Sequence, residues 1–586
     1  MSIPENPQYK DRVARLEKWR ALGVNPFGER IDGILSTAEA RKLHGGPTAP
    51  AEGVTRAKVA GRMVLLRDTG KLIFLTIQDS AGRLQVGLSK KFVEASMGAA
   101  GWEQAKLFEL GDIAWFEGTV GNTRTGEVTI WADKLGLASK SLMPPPDKFH
   151  GLSDVELRYR QRYVDLWANP DSMDVFLSRS RMLESIRDFL KARGFIEVET
   201  PMLQPSATGA AAKPFTTHHN TLDMDLFLRI SPELYLKRLL VGGMEKVFDI
   251  NRNFRNEGLS PRHNPEFTMM EVYQAYSDLA GMMELTESLI VRLAKERLAV
   301  LRAQKPETEA KDPNVLHLQY GERIIDYSPP FTRASYADLF AQHVGCSMFD
   351  DAAVRAKARE RGLAECDTKD RDVLVGELFE QLAEPTLAGS DRPVFLYDYP
   401  AALCPLTRRK PGDERIAERF ELYIAGMEVA NAYTELNDPF VQEKTFSSQL
   451  TGLKEEDSMA KMDWDFINAL RYGMPPAGGL GVGIDRLVML MTNQTTIRDV
   501  ILFPLLKERQ EAKPGEATSE GEAPRGEPSK KLYPKTAELR RMLLTVKGEI
   551  FKQGLEEALS QAAELKAHFP GTLNITQGDA NAHEGN

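Results

Sequence analysis

Between Val54 and about Lys140 the chain passes through five short stretches in which apolar and polar residues alternate: "KVAGRMVLL", "KLIFLTIQD", "GRLQVGLS", "DIAWFEGTVGNT" and "GEVTIWADKLGLA". Gly, Asp and Asn separate them, and one helical stretch falls between the third and the fourth. A period of two is that of a strand with one buried face. Five strands this short leave unpaired edges unless the sheet closes on itself, so a small β-barrel is predicted over residues 54–140. The same segment carries 12 Lys and Arg against 9 Asp and Glu, although the whole chain has a net charge of -9. Local positive charge governs contact with a polyanion, so this is where such a contact is sought.

Strand number and helix position are those of the oligonucleotide-binding (OB) type of barrel. A chain of 586 residues exceeds what one core organises, and further domains are predicted around this one. Residues 1–53 precede it, with one amphipathic helix over 8–22 whose stripe is Tyr9, Val13, Leu16 and Leu22. Residues 141–150 contain three consecutive prolines and read as a linker. Residues 151–508 mix long amphipathic helices with β-rich runs, without regular βαβ alternation, which predicts an α+β domain on an antiparallel sheet. Residues 509–534, rich in Glu, Pro, Gly and Ser, are predicted disordered, and 535–586 form a helical extension. The charged start of the chain and the lack of a long apolar run predict a cytoplasmic protein without membrane contact. Cys346, Cys366 and Cys404 have no metal-ligand spacing and are expected to be buried, inert thiols.

The stretch "FRNEGLSPRHNPEFTMME", residues 254–271, gathers Arg255, Arg262, His263, Glu257, Glu266 and Glu271 around a loop broken by Gly258 and Pro261. Half-buried strands are predicted on both sides of it, so its charges are expected to line a cavity. Together with "RGFIEVETPML" before it and "GLGVGIDRLVML" after it, behind an OB-like domain, it resembles the class II aminoacyl-tRNA synthetases, most closely the bacterial lysyl-tRNA synthetases of subclass IIb. The resemblance covers residues 1 to about 508 and implies a class II catalytic domain that joins lysine to tRNA(Lys) using ATP and Mg²⁺. It also implies a homodimer through the segment around Pro201.

Activation of an amino acid brings two anions together at phosphorus, which requires arginines. The resemblance gives Arg255 the α-phosphate, and Glu257, His263 and Phe267 the base, the phosphates or the tRNA end. Arg486 matches the arginine that stacks on adenine and reaches the γ-phosphate, and the glycines of "GGLGVGIDRL" are expected to let backbone approach the nucleotide. Glu421 and Glu428 match the magnesium ligands. With Ala425 and Gly426 as a turn these two share one face, and a β-bulge near Ala430 is needed to bring Asn431, Tyr433 and Glu435 round to it.

A lysine ammonium taken out of water needs acidic partners. The resemblance assigns this to Glu233 and Glu435, with Tyr273 adding a hydroxyl, and places Gly209, Glu271 and Asn431 around the α-amino and carboxylate groups. The chain departs from the family at Thr208, Lys213, Tyr433, where a phenylalanine is usual, and Ala402-Leu403-Cys404-Pro405, which loses a carboxylate. In the barrel, Phe74, Gln85 and Glu127 match anticodon-reading residues, an aromatic face to stack a base and polar groups to pair its edge.

Overall fold

The computed structural model describes residues 7–44, 55–146, 152–206, 212–304, 315–450 and 462–507. Gly209, the end of the proline-rich linker and everything expected of residues 509–586 lie outside them. Helix α1 (Pro7–Ala21) buries Arg12, Leu16 and Trp19. This corrects the predicted stripe by rotating it: Tyr9 and Val13 are half-buried, and Leu22 lies beyond the helix. Arg12 can go inside because its guanidinium donates to the carbonyls of Ser141 and Leu110, both at 3.0 Å, while its stem packs.

Strands β1 (Arg56–Asp68), β2 (Leu72–Asp79) and β3 (Gly82–Ser89), helix α2 (Lys90–Leu107), and strands β4 (Ile113–Asn122) and β5 (Val128–Ser139) form a closed barrel in the order β1-β2-β3-β5-β4. The β3–β5 pair is parallel and the others are antiparallel. Alternation decides which side chains go inside. Ile73, Leu75 and Ile77 of β2 meet Leu84, Val86 and Leu88 of β3 in the core. Phe74, Thr76 and Gln85 stand on the outer face and are partly exposed. A one-residue slip in either strand would invert this arrangement.

The second domain is built on a nine-stranded sheet. From one edge it runs β9 (Thr332–Ser335), β10 (Val394–Pro400), β11 (Asp413–Ile424), β12 (Met427–Thr434), β13 (Ala477–Gly483), β8 (Glu266–Ala275), β7 (Lys246–Phe254) and β6 (Ile196–Glu197), with Arg409–Lys410 pairing beside β11. Only the edge pairs β9–β10 and β6–β7 are parallel along this order. Helices α3 (Pro170–Lys191), α5 (Leu279–Gln304) and α6 (Ile484–Met491) cover one face and share its apolar core, which includes Ile186, Leu289 and Leu487. Pro170 starts α3 where a missing N–H costs nothing, and Gly194 follows its end with φ of 81°. Helix α4 (Glu233–Val241) lies at the other face against β7 and β8, with Leu236 and Leu240 buried. Full burial of such a leucine contributes about 1.5–3 kcal/mol. A separate core around Tyr336, Phe379 and Tyr399 fills the insertion between β8 and β11. Among the described residues no helix is long and apolar enough to cross a membrane.

Candidate active site

Four adjacent strands form the floor of the site. Their register aligns two rows of residues, Arg419–Tyr433–Gly479–Tyr273 and Glu421–Asn431–Gly481–Glu271, across β11, β12, β13 and β8. The glycines of β13 leave the middle of the floor without side chains, which deepens it between polar walls.

The β11–β12 turn has Ala425 at φ 51° and Gly426 at φ 73°, the doubly left-handed pair that matches the twist of a two-residue hairpin. Leu422 pairs with Ala430 but Tyr423 pairs with Glu428, so Val429 is an extra residue and the bulge falls there. Through it Glu428, Asn431 and Tyr433 all line the same cavity as Arg419 and Glu421.

That cavity has a volume of about 510 Å³. At its basic end stand Arg255, Glu257 and His263 from the loop between β7 and β8, Phe267 from the start of β8 and Arg486 from the first turn of α6. Arg255 lies over the Phe267 ring at 5.2 Å, and its Nε is buried without a hydrogen-bond acceptor among the described residues. Such a donor is matched to an anionic ligand. Arg486 donates to the Glu428 carbonyl at 2.7 Å and to His263 Nε2 at 3.0 Å, and Ser260 Oγ meets His263 Nδ1 at 2.8 Å. Burial and the Arg486 charge push His263 below the usual imidazole range, so it stays neutral beside the arginines. Asp485 locks this end in place by accepting the Thr268 N–H at 2.7 Å and pairing with Arg179 at 2.6 Å.

At the acidic end Glu233, Glu271, Tyr273 and Tyr433 line the wall. Glu271 accepts from Ser231 Oγ at 2.8 Å and from the Tyr273 hydroxyl at 3.1 Å. Burial, and then the Glu233 charge, push it up to about 8. Tyr433 explains its own departure from the family pattern: its hydroxyl donates to Glu233 Oε1 at 2.6 Å. Glu435 sits just behind this wall at Gly479, where an added Cβ would lie 1.8 Å from Glu435 Oε1 and 2.6 Å from Tyr273 Cε1. Of the β13 glycines, Gly479 thus makes room for the protein's own carboxylate and phenol, while Gly481 and Gly483 also line the cavity.

Two further residues at the site were not anticipated. Lys237, one turn along α4, pairs with Glu233 Oε1 at 2.7 Å and with Glu435, and all three side chains are almost wholly buried. Its signal was the Glu-x-x-x-Lys spacing inside "SPELYLKR". Arg419 donates to Asn431 Oδ1 at 3.1 Å, pairs with Glu421 and approaches Cys404 Sγ at 3.6 Å. Cys404 therefore lines the cavity, and Cys346 is only half-buried, so the expectation of three buried cysteines holds for Cys366 and Cys404 alone.

Glu421 and Glu428 face each other's charge within the cavity. Desolvation and then the Glu421 carboxylate push Glu428 up to about 7, against the pull of Arg486. Two such oxygen donors fit a hard divalent cation whose remaining ligands come from phosphates and water. The described residues hold no cluster of three or more His, Cys, Asp and Glu suited to a metal.

On the barrel, Phe74 meets Trp131 edge to face at 5.8 Å, and both lie in the row Phe74–Gly87–Trp131 across β2, β3 and β5. Thr129 donates to Gln85 Oε1 at 2.9 Å, and the exposed Glu127 lies 3.7 Å from Arg41. Trp131 escaped notice because a tryptophan within a strand reads as core.

The family described as "tRNA synthetases class II (D, K and N)" matches residues 154–507, and the OB-fold nucleic acid binding domain matches residues 57–138. The chain is 44% identical to a lysine–tRNA ligase of Magnetococcus marinus, with 86% of this chain and 97% of that protein covered. It is 46% identical to the enzyme of that name from Pelotomaculum thermopropionicum (86% and 96% covered) and 43% to that of Staphylococcus aureus (87% and 100%). A two-row polar floor, basic at one end and acidic at the other, behind an OB barrel thus has its place: the chain belongs to the lysine–tRNA ligase family of class II aminoacyl-tRNA synthetases.

Proposed function

We propose that the cleft activates L-lysine with ATP and passes it to the 3′ end of tRNA(Lys). The observation that carries this reading is a charge balance. Glu233 and Glu435 pair with one internal ammonium, Lys237, and Glu271 lines the cavity beside Glu233, leaving two negative charges in excess when all are ionised. The two ammonium groups of lysine balance that excess, and its carboxylate faces the basic end. The side chain of aspartate would bring a fourth carboxylate into the acidic end, and asparagine, with its α-ammonium alone, would leave one excess charge uncompensated.

In the first step a lysine carboxylate oxygen attacks the α-phosphorus of ATP, the bond to the bridging oxygen breaks and pyrophosphate leaves. Arg255 stabilises charge on the α-phosphoryl group, Arg486 the leaving phosphates, and Phe267 and Glu257 border the nucleotide. Asn431 and Glu271 orient the amino acid, and Gly209 is assigned to the same group by its place in the sequence. Glu421 and Glu428 would hold Mg²⁺, which when bound neutralises charge on the phosphates. In the second step the tRNA 3′-hydroxyl attacks the acyl carbon and AMP leaves.

Phe74, Gln85 and Glu127 read the anticodon from the outer face of the barrel. A homodimer covers the apolar side chains exposed near Pro201: Ile196, Met202 and Leu203. These substrates place the enzyme in the cytoplasm. Pyrophosphate exchange with each of the twenty amino acids tests the reading. Lysine alone should support it, and exchange with aspartate or asparagine in its place would overturn it.

A further inference from the structure

Lys237 is wholly buried yet lies outside the lining of the cavity, one layer beneath Glu233 and beside Glu435. The rings of Tyr433 and Phe466 flank its ammonium at 5.5 and 6.0 Å. Removing a lysine from water costs several kcal/mol, and an apolar residue of similar size often serves packing equally well. A role in packing therefore does not account for a cation at this point. Its placement does have one chemical consequence: it fixes two carboxylates on either side of the substrate wall, Glu233 at the surface of the cavity and Glu435 against the bare face of Gly479.

We propose that Lys237 is a positioning residue for the substrate's side-chain ammonium, an internal cation that clamps Glu233 and Glu435 as a charged pair beneath the pocket. The inference rests on the lysine-activating reading given above. The groups facing the pair are Glu271 and Tyr273 from β8, Tyr433 from β12 and Lys237 itself from α4. Burial raises Glu435 and Lys237 pulls it back down. Without Lys237 the Glu435 carboxylate loses the cation that pulls it down, so burial and its acidic neighbours make it keep its proton to higher pH than in the unaltered protein. A protonated carboxyl does not attract an ammonium. Lysine binding should then weaken most at low pH and recover as the pH rises, whereas a loss of packing alone is indifferent to pH.

The test is lysine-dependent pyrophosphate exchange by the full chain and by Lys237→Met between pH 6.5 and 8.5. The unaltered protein should show exchange. In Lys237→Met the lysine KM should rise at least tenfold at pH 7, the deficit should shrink towards pH 8.5, and the ATP KM should stay within twofold. Lys237→Met/Glu435→Gln removes the pair as a neutral unit; it should fold and show a raised lysine KM at every pH, which covers the case in which the single variant does not fold. No lysine-dependent exchange by the unaltered protein overturns the reading of the cleft and this inference with it. Normal exchange by the unaltered protein, with either variant keeping the wild-type lysine KM or Lys237→Met losing the same factor at every pH, overturns this inference alone.

Discussion

Arg419 reaches across the β11–β12 hairpin to Asn431, its Nε 3.1 Å from the amide oxygen, and the same guanidinium pairs with Glu421 and lies over the Tyr399 ring at 4.7 Å. One cation thus ties a residue assigned to the amino acid to one assigned to Mg²⁺. It also forms part of the wall of a second cavity, of about 380 Å³, lined by Tyr336, Tyr399 and Tyr423. Arg419→Met should free the Asn431 amide and leave Glu421 without its cation, beside the Tyr423 hydroxyl 2.7 Å away. Catalytic efficiency for lysine and for ATP should both fall tenfold or more. Steady-state exchange kinetics check this, and a change confined to one substrate would show that the two halves are positioned independently.

Gly479→Ala should separate them. Its Cβ would lie 1.8 Å from Glu435 Oε1, so the carboxylate must leave its place beside Lys237 or the strand must shift. Overpacking of this kind costs typically 1–3 kcal/mol. The lysine KM should rise at least tenfold with little change in the ATP KM, and the melting temperature should fall by several degrees. An unchanged lysine KM would place the ammonium away from Glu435.

How far the chain could be read in advance depended on whether local pattern or partner choice set the outcome. The barrel was legible because a period of two leaves Ile73, Leu75 and Ile77 only one side to face, and five short strands only one way to lose their edges. The bulge was legible for a related reason: Glu428 and Asn431 cannot share a face without an extra residue, and Val429 is that residue. Lys237 was not legible as part of the site. Its partner Glu435 is 198 residues away in sequence, and only the sheet brings β12 against the start of α4. The face buried by α1 was misjudged because an arginine, Arg12, goes inside once two carbonyls meet it.

The barrel offers a test that leaves chemistry untouched. Phe74 and Trp131 stand on its outer face, with Gly87 between them, where a Cβ would come 2.8 Å from the indole. Stacking on an aromatic ring contributes about 1–3 kcal/mol per base. Phe74→Ala should therefore lower the efficiency of tRNA charging about fivefold to a hundredfold while lysine-dependent exchange without tRNA stays near normal. Trp131→Ala should act in the same direction, because Phe74 loses the ring it packs against. Equal loss of both activities would point to a damaged fold.

The acidic end makes a prediction about pH. Glu271 is pushed up to about 8 by burial and the Glu233 charge, so below pH 8 the free protein holds a proton there, while an ammonium ligand favours the ionised carboxylate. Lysine keeps its side-chain charge throughout this range, with a pKa of about 10.4. The lysine KM should fall as the pH rises from 6.5 to 8, by up to tenfold per unit, and level off above 8. The ATP KM should not follow it, since His263 at the basic end is held below its usual range and is already neutral. The sign for stability is the opposite. A carboxyl raised from about 4.3 in the unfolded chain to about 8 in the folded one contributes stability that is complete below about pH 4.3 and is lost as the pH rises through 8. Bound lysine counters that loss, so the rise in melting temperature at a fixed saturating lysine concentration should be larger at pH 8 than at pH 6.5. A lysine KM that is flat across this range, or a thermal shift that shrinks with pH, would mean that Glu271 is ionised before lysine arrives and is not the group that the ligand's charge addresses.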